Sequence, residues 1–240
     1  MRILIIVLGC FSLAASAVMD TPDVLDAGLF SAEKIGEQIS VNWKPLTFKR
    51  ISKHTIYSVV DDNGSNVIKA QADQSASGLV REINIDLREY PIMEWRWKIA
   101  NLITKGDPRH KDGDDYPARI YLTFAQDQNK LSFADKIAHK FSGQYIPHSG
   151  LNYIWDNKTS VGSIVHNAYT DRLRMIAIES GGEKLNQWQN VTRNVLEDYR
   201  KAFGHEPPLI VGIAIMTDAD NTEESATAWY GDIRFKKLPR

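Results

Sequence analysis

The chain is almost without cysteine: among 240 residues only Cys10 carries a thiol, and it lies in an N-terminal segment that reads as removable. A mature chain starting after that segment has no disulfide, no thiol nucleophile and no cysteine-ligated zinc, so ordinary core burial must hold it together. A surplus of charge is lacking too. The 29 Lys and Arg stand against 30 Asp and Glu, for a formal net charge of −1, and loss of Arg2 with the leader lowers it by one more. That balance offers no electrostatic footprint for nucleic acid. No apolar run reaches the roughly twenty residues that span a bilayer, because Asp20, Pro22 and Asp23 interrupt the first one. No lysine-rich amphipathic stretch argues for a membrane surface. Gly-x-Ser-x-Gly, glycine-rich phosphate loops, His-x-His and His-Glu-x-x-His are all missing, so a serine hydrolase, a nucleotide-binding enzyme and a zinc hydrolase are not indicated.

What is present begins with a leader. Met1-Arg2, the apolar run Ile3 to Leu8 and the small-x-small string Ala15-Ser16-Ala17 predict a signal peptide over 1–17 and a periplasmic or secreted protein of a Gram-negative type of envelope. Val7-Leu8-Gly9-Cys10 offers a rival lipobox that would leave Cys10 acylated, but Cys10 sits too close to Arg2 for an apolar core of usual length. Residues 18–240 contain no internal repeat and no Pro/Gly/Ser linker, which predicts one domain.

Within it, short stretches rich in β-branched and aromatic residues recur between turn signals. They predict strands over 39–48, 54–60, 67–72, 79–85, 93–99, 119–124, 151–155, 163–165, 174–179, 210–217 and 227–235. Two helices interrupt them. One starts at Ser132 and repeats Phe133, Ile137 and Phe141; the other runs from Val195 to Phe203 and is stopped by Gly204 and Pro207-Pro208. Strands without a repeated βαβ pattern predict a mainly β fold, a jelly-roll-like antiparallel β-sandwich with two short helical insertions.

Alternation assigns faces. Glu94, Arg96 and Lys98 oppose Trp95 and Trp97; Arg119, Tyr121 and Thr123 oppose Ile120 and Leu122; Tyr230, Asp232 and Arg234 oppose Trp229, Ile233 and Phe235. If those strands are neighbours, Arg96, Arg119, Tyr121, Tyr230 and Asp232 form one polar surface. Arginine forks and tyrosine hydroxyls suit the hydroxyls and carboxylates of a glycan. Asn152, Tyr153 and His166 join the candidate ligand-binding set, since a glycine-bearing tyrosine- and histidine-rich stretch could rim a cleft. The competing reading is an ordinary solvated sheet face with cross-strand ion pairs. Trp95, Trp97 and Trp229 fall to the core by the same alternation, leaving Trp155 and Trp188 as the better surface candidates.

Two loops are acidic: Asp112, Asp114 and Asp115 in one, Asp218, Asp220 and Asn221 in the other. Clustered carboxylate and amide oxygens suit Ca²⁺, so Asp114, Asp115, Asp218, Asp220 and Asn221 form the candidate metal set. Against this, Asp and Asn favour turns for local reasons, and the glycine and distant glutamate of an EF-hand are absent.

Tyr90 to Lys98, Gly113 to Arg119, Leu151 to Trp155, Arg193 to Arg200 and Thr217 to Thr222 together resemble a family of exported bacterial proteins, domain of unknown function 3047. The resemblance spans nearly the whole mature chain and implies no catalytic residues. Trp229 to Phe235 is also similar to the closing strand of galactose-binding-like and carbohydrate-binding jelly rolls, a likeness of fold alone. The leading expectation is a non-catalytic protein binding carbohydrate or envelope glycan. The alternatives are a polysaccharide lyase or glycosidase, with Arg96 or Arg119 on a substrate carboxylate and Tyr121 or His166 moving protons, and a structural envelope protein.

Overall fold

The computed structural model describes residues 22–125 and 149–239. The expected signal peptide, Cys10, the helix expected from Ser132 and the histidines His139 and His148 lie outside the described residues.

Alternating sequences build strands that bury one face, and two sheets stacked on those faces make the core. The first sheet has β11 (Gln189–Asn194), β6 (Ile92–Ile99), β13 (Ser225–Lys236), β4 (Asn66–Asp73) and β3 (Ile56–Asp61) in that order, with β1 (Val24–Gly28) also paired to β13. The second runs β2 (Lys44–Leu46), β5 (Ala76–Ile85), β12 (Ile210–Asp218), β7 (Ala118–Phe124), β8 (Ser149–Asp156), β10 (Leu173–Ser180) and β9 (Ile164–His166). All pairings are antiparallel except β8 with β10. The result is the expected mainly β, jelly-roll-like sandwich.

The inner faces supply the core: Trp95 and Trp97 from β6, Ile120 and Leu122 from β7, Tyr153 and Trp155 from β8, Ile213 and Ile215 from β12. Rings meet across the interior, with Trp95 5.2 Å from Tyr153 and Trp97 6.2 Å from Trp155, centroid to centroid. Helix α1 (Val195–Phe203) falls where the sequence placed it. Asn194 caps it by accepting from the Glu197 amide at 3.1 Å, and Gly204 closes it at φ 76°. Asp198, on the helix, is buried and takes Arg193 and the Tyr153 hydroxyl, tying α1 to β11 and β8.

Three expectations change. The stretch 39–48 yields only the short β2, because the Trp43 amide turns back onto the Ser40 carbonyl. Strands β1 and β11 form where no strand was expected. Within β13 the alternation slips: the register to β6 shifts between Tyr230 and Ile233, so that Tyr230 and Ile233 both face inward. Trp229 therefore lies on the outer face and Tyr230 in the core, the reverse of the expected assignment. Gly231 fits the slip, because a Cβ there would stand 2.5 Å from Cγ of Arg96.

Candidate functional site

The single polar surface expected from alternation does not exist. Arg96 and Asp232 lie on the outer face of the first sheet, Arg119 and Tyr121 on the outer face of the second, with the core between them. Tyr230 crosses that core: its hydroxyl donates to the Met216 carbonyl at 2.6 Å and bonds Thr217 Oγ1 at 2.8 Å. Tyr153 also points inward. His166 is exposed on the edge strand β9, with Asp171 4.0 Å away. Asp232 anchors the N-terminal turn by accepting from both the amide and the hydroxyl of Ser31 at 2.8 Å.

The structure instead joins two groups that the sequence kept apart. β7 begins where β12 ends, and the acidic loops flanking these strands close over one end of the second sheet's outer face. Arg119, 4% exposed, sits among them. Its Nη2 donates to Asp218, its Nη1 is 4.0 Å from Asp114, and its guanidinium lies 5.1 Å from the ring centres of both Tyr116 and Tyr121. Asp114 is held by the Tyr116 hydroxyl at 3.1 Å and the Asn167 amide at 3.2 Å. Asp115 accepts from the amide and hydroxyl of Thr222, at 2.6 and 2.7 Å, and from the Asn221 amide group at 3.1 Å. Tyr169 spans the outside, its hydroxyl reaching the Lys111 carbonyl and Asn221 Oδ1. Carboxylate oxygens of Asp115, Asp218 and Asp220 lie within 4.8 Å of one another. All five residues of the candidate metal set are thus in one place.

Asp114, Asp218 and Asp220, set around one guanidinium, hold on to protons more tightly than free acids. Burial raises Asp218 well above the usual carboxylate range, against the pull of Arg119, and burial likewise raises Asp114 and Asp220. Burial opposes the charge on Arg119, but Asp218 holds it firmly protonated.

Asn152, on β8, is directly opposite Tyr121 on β7 and fully buried. Burial raises the Tyr121 phenol, and the Arg119 charge and, less, a loose side-chain hydrogen bond with Asn152 offset part of that rise. Yet neither Nδ2 nor Oδ1 of Asn152 makes a hydrogen bond of ordinary geometry, and Nε and Nη1 of Arg119 also go without among the described residues. The other buried atoms in that condition are the indole nitrogens of Trp95 and Trp97, in the aromatic core, and Oδ1 of Asn157. Each unpaired buried polar group costs about 1–3 kcal/mol. Two such residues on adjacent strands, facing the same way around a partly exposed Tyr121, are a local concentration of unmet hydrogen-bonding capacity.

Sequence reading noted Tyr169 only beside His166 and missed Tyr116, Asn167 and Thr222, which with it complete the bonding of the acidic loops. Tyr116 adjoins the acidic run and Thr222 follows Asn221, so proximity could have flagged both; nothing in the sequence marks Asn167.

No curated protein matches the chain. Among solved structures, the Emp47p carbohydrate recognition domain is 14% identical, covers 90% of this chain and 96% of its own, and gives a TM-score of 0.43. Endoglucanase 3 of Trichoderma harzianum, from family GH12, is 9% identical over 84% of this chain and 100% of its own, with a TM-score of 0.40. The glycoside hydrolase domain of Endo-D from Streptococcus pneumoniae R6 is 10% identical over 82% of this chain, with a TM-score of 0.37, and this chain spans only 22% of that one. A family model matches residues 41–234, and the chain belongs to that family, DUF3047, described as a protein of unknown function.

Proposed function

We propose that this is an exported protein that binds a hydroxyl-rich, carboxylate-bearing ligand of the glycan class on the outer face of its second sheet, through Arg119, Tyr121 and Asn152. The observation that carries the reading is the set of buried Arg119 and Asn152 atoms that make no hydrogen bond of ordinary geometry among the described residues. A fold that leaves Nε and Nη1 of a guanidinium and a side-chain amide without ordinary hydrogen bonds among the described residues bears a cost that a bound ligand would relieve. The chemistry on offer is specific. Nε and Nη1 of Arg119 form a planar donor edge for a carboxylate, Asn152 adds a donor and an acceptor, and Tyr121 adds a ring and a hydroxyl that suit a sugar face. Tyr121 keeps some exposure between the other two and marks the approach. The leader-like 1–17 segment and the single cysteine support export to an envelope compartment.

Titration calorimetry of the wild type and Asn152→Ala against neutral and uronate-containing oligosaccharides tests this, with product analysis of each mixture. The expected result is intact acidic oligosaccharide bound by the wild type and at least about ten-fold weaker binding by the variant, the size of one lost hydrogen-bonded group. Binding that ignores Asn152→Ala, or no binding at all, overturns the reading. Cleaved sugar replaces it with the enzymatic one.

A further inference from the structure

We infer that the open edge of the sandwich between β2 and β3 is a docking surface for the anionic headgroup face of a phospholipid bilayer. It does not depend on the proposed ligand face. β2 and β3 each end a sheet, whereas Arg119, Tyr121 and Asn152 stand on β7 and β8, with β5 and β12 between β2 and β7.

Three tight turns build this edge. The Glu37 amide returns to the Lys34 carbonyl, the Trp43 amide to that of Ser40 and the Ile51 amide to that of Phe48. Ile35 and Val41 stand at the second position of their turns, Phe48 opens the third, and Ile56 starts β3; all four side chains are exposed. Val41, 85% exposed, and Ile56, 67%, are the two most exposed large apolar side chains among the described residues. The turns enclose one surface hollow of about 420 Å³, whose wall includes Gly36, Trp43, Thr47 and Thr55. Each of the four apolar residues is within two positions of one of these, so they stand around a single mouth instead of being scattered over the surface. Isolated exposed apolar residues need no explanation, but a group of them marks an interaction site.

Charge is the second observation. From Glu33 to Ile56 five Lys and Arg stand against two Glu, in a chain whose formal net charge is −1. Glu33 accepts from the Ser40 amide, Glu37 pairs with Lys34 at 3.6 Å, and Lys44 reaches Glu82 at 3.2 Å. Lys53 meets only the neutral Gln74, and Lys49 and Arg50, exposed beside Phe48, have no ion-pair partner among the described residues. The surplus is therefore free to meet an outside anion. The two observations together choose the partner. Each apolar side chain is raised singly and has a cation within three residues of it, which suits a bilayer interface: the apolar tips enter the acyl boundary while the cations stay among the phosphates. A protein partner calls for the reverse, an apolar centre inside a polar rim. Turns carry this pattern, so it needs no lysine-rich amphipathic helix, and the sequence has none.

The experiment is co-sedimentation of the chain from residue 18 onward with vesicles of phosphatidylcholine alone and of phosphatidylcholine with about one third phosphatidylglycerol, in low salt and in about 0.5 M NaCl. The expected result is partition at least about ten-fold stronger onto the anionic vesicles, weakened by salt. Lys49→Glu with Arg50→Glu should lose at least about ten-fold, and so should Ile35→Ser with Val41→Ser. Both double variants should keep the wild-type Tm, because all four side chains are exposed. Lys158→Glu with Lys201→Glu makes the same change of net charge at exposed positions after β8 and on α1, and should bind like the wild type. Absent sedimentation, equal partition onto neutral vesicles, or a loss as large in the Lys158/Lys201 variant overturns the docking surface. Soluble polyglutamate bound more tightly than the anionic vesicles replaces the lipid with an acidic protein partner. Asn152→Ala separates the two readings, because it should lose oligosaccharide and keep the vesicles.

Discussion

The two outer faces of the sandwich carry the same kinds of residue and treat them in opposite ways. On the first sheet, Arg96 lies 4.5 Å over Trp188 and donates to Ser65, and Lys98 lies 4.6 Å over Trp229 and pairs with Asp62 at 2.7 Å. The Trp188 indole donates to that same Asp62 at 2.6 Å. Each charge there has a partner, and the face remains half exposed. On the second sheet Arg119, though paired with Asp218, and Asn152 are buried with some donors and acceptors unused among the described residues. A paired, half-wet face is what any antiparallel sheet needs for solubility. An unpaired, buried one costs stability, and that is the cost the proposed ligand would relieve.

The sharpest way to break the comparison is to remove one arginine from each face. Arg119→Met should destabilise the protein by about 3–5 kcal/mol, since it strands buried carboxylates without their cation. Arg96→Met should cost no more than about 1 kcal/mol, the worth of a partly exposed cation–π contact and one hydrogen bond. Urea unfolding of both variants measures the difference, and equal losses would erase the distinction between the faces.

A second variant changes the sign. Asn152→Leu removes an amide that makes no hydrogen bond of ordinary geometry among the described residues and keeps the volume, so it should stabilise the fold by about 1–3 kcal/mol in urea unfolding while abolishing oligosaccharide binding. A destabilised Asn152→Leu would mean that the amide has a structural partner after all.

The fold was largely legible because it depends on local patterns. Helix α1 was bounded correctly by its own capping residues, and strands β3 to β10, β12 and β13 were each found within about three residues at either end because alternation and turn residues mark them. Strands β1 and β11 were not, because Val24–Gly28 is five residues without alternation and Gln189–Asn194 is mostly polar, and both become strands only by pairing with β13 and β6. The site was half legible. Both acidic loops, Arg119, Tyr121 and Asn152 stand out by residue type, but their meeting depends on β7 pairing with both β12 and β8, which no periodicity encodes. The misplacement of Arg96 beside Arg119 has the same origin, and that of Tyr230 comes from one slipped register in β13.

The smallest effect tests the paired face on its own terms. The hydrogen bond from Lys98, helped by the Trp188 indole and offset in part by burial, holds the Asp62 carboxyl below its usual range. A carboxylate whose folded pKa is depressed contributes stability that is present above its unfolded value and lost as pH falls through the folded one. Asp62 should therefore support the fold above about pH 4 and cease to do so further into acid, with a contribution of no more than about 1 kcal/mol for a pair that water still reaches. Asp62→Asn removes that dependence, so the stability difference between wild type and variant should shrink as the pH drops from 5 to about 2. A difference that stays constant over that range would mean that Asp62 holds Trp188 and Lys98 by shape alone, and that the two faces differ less in their electrostatics than their contacts imply.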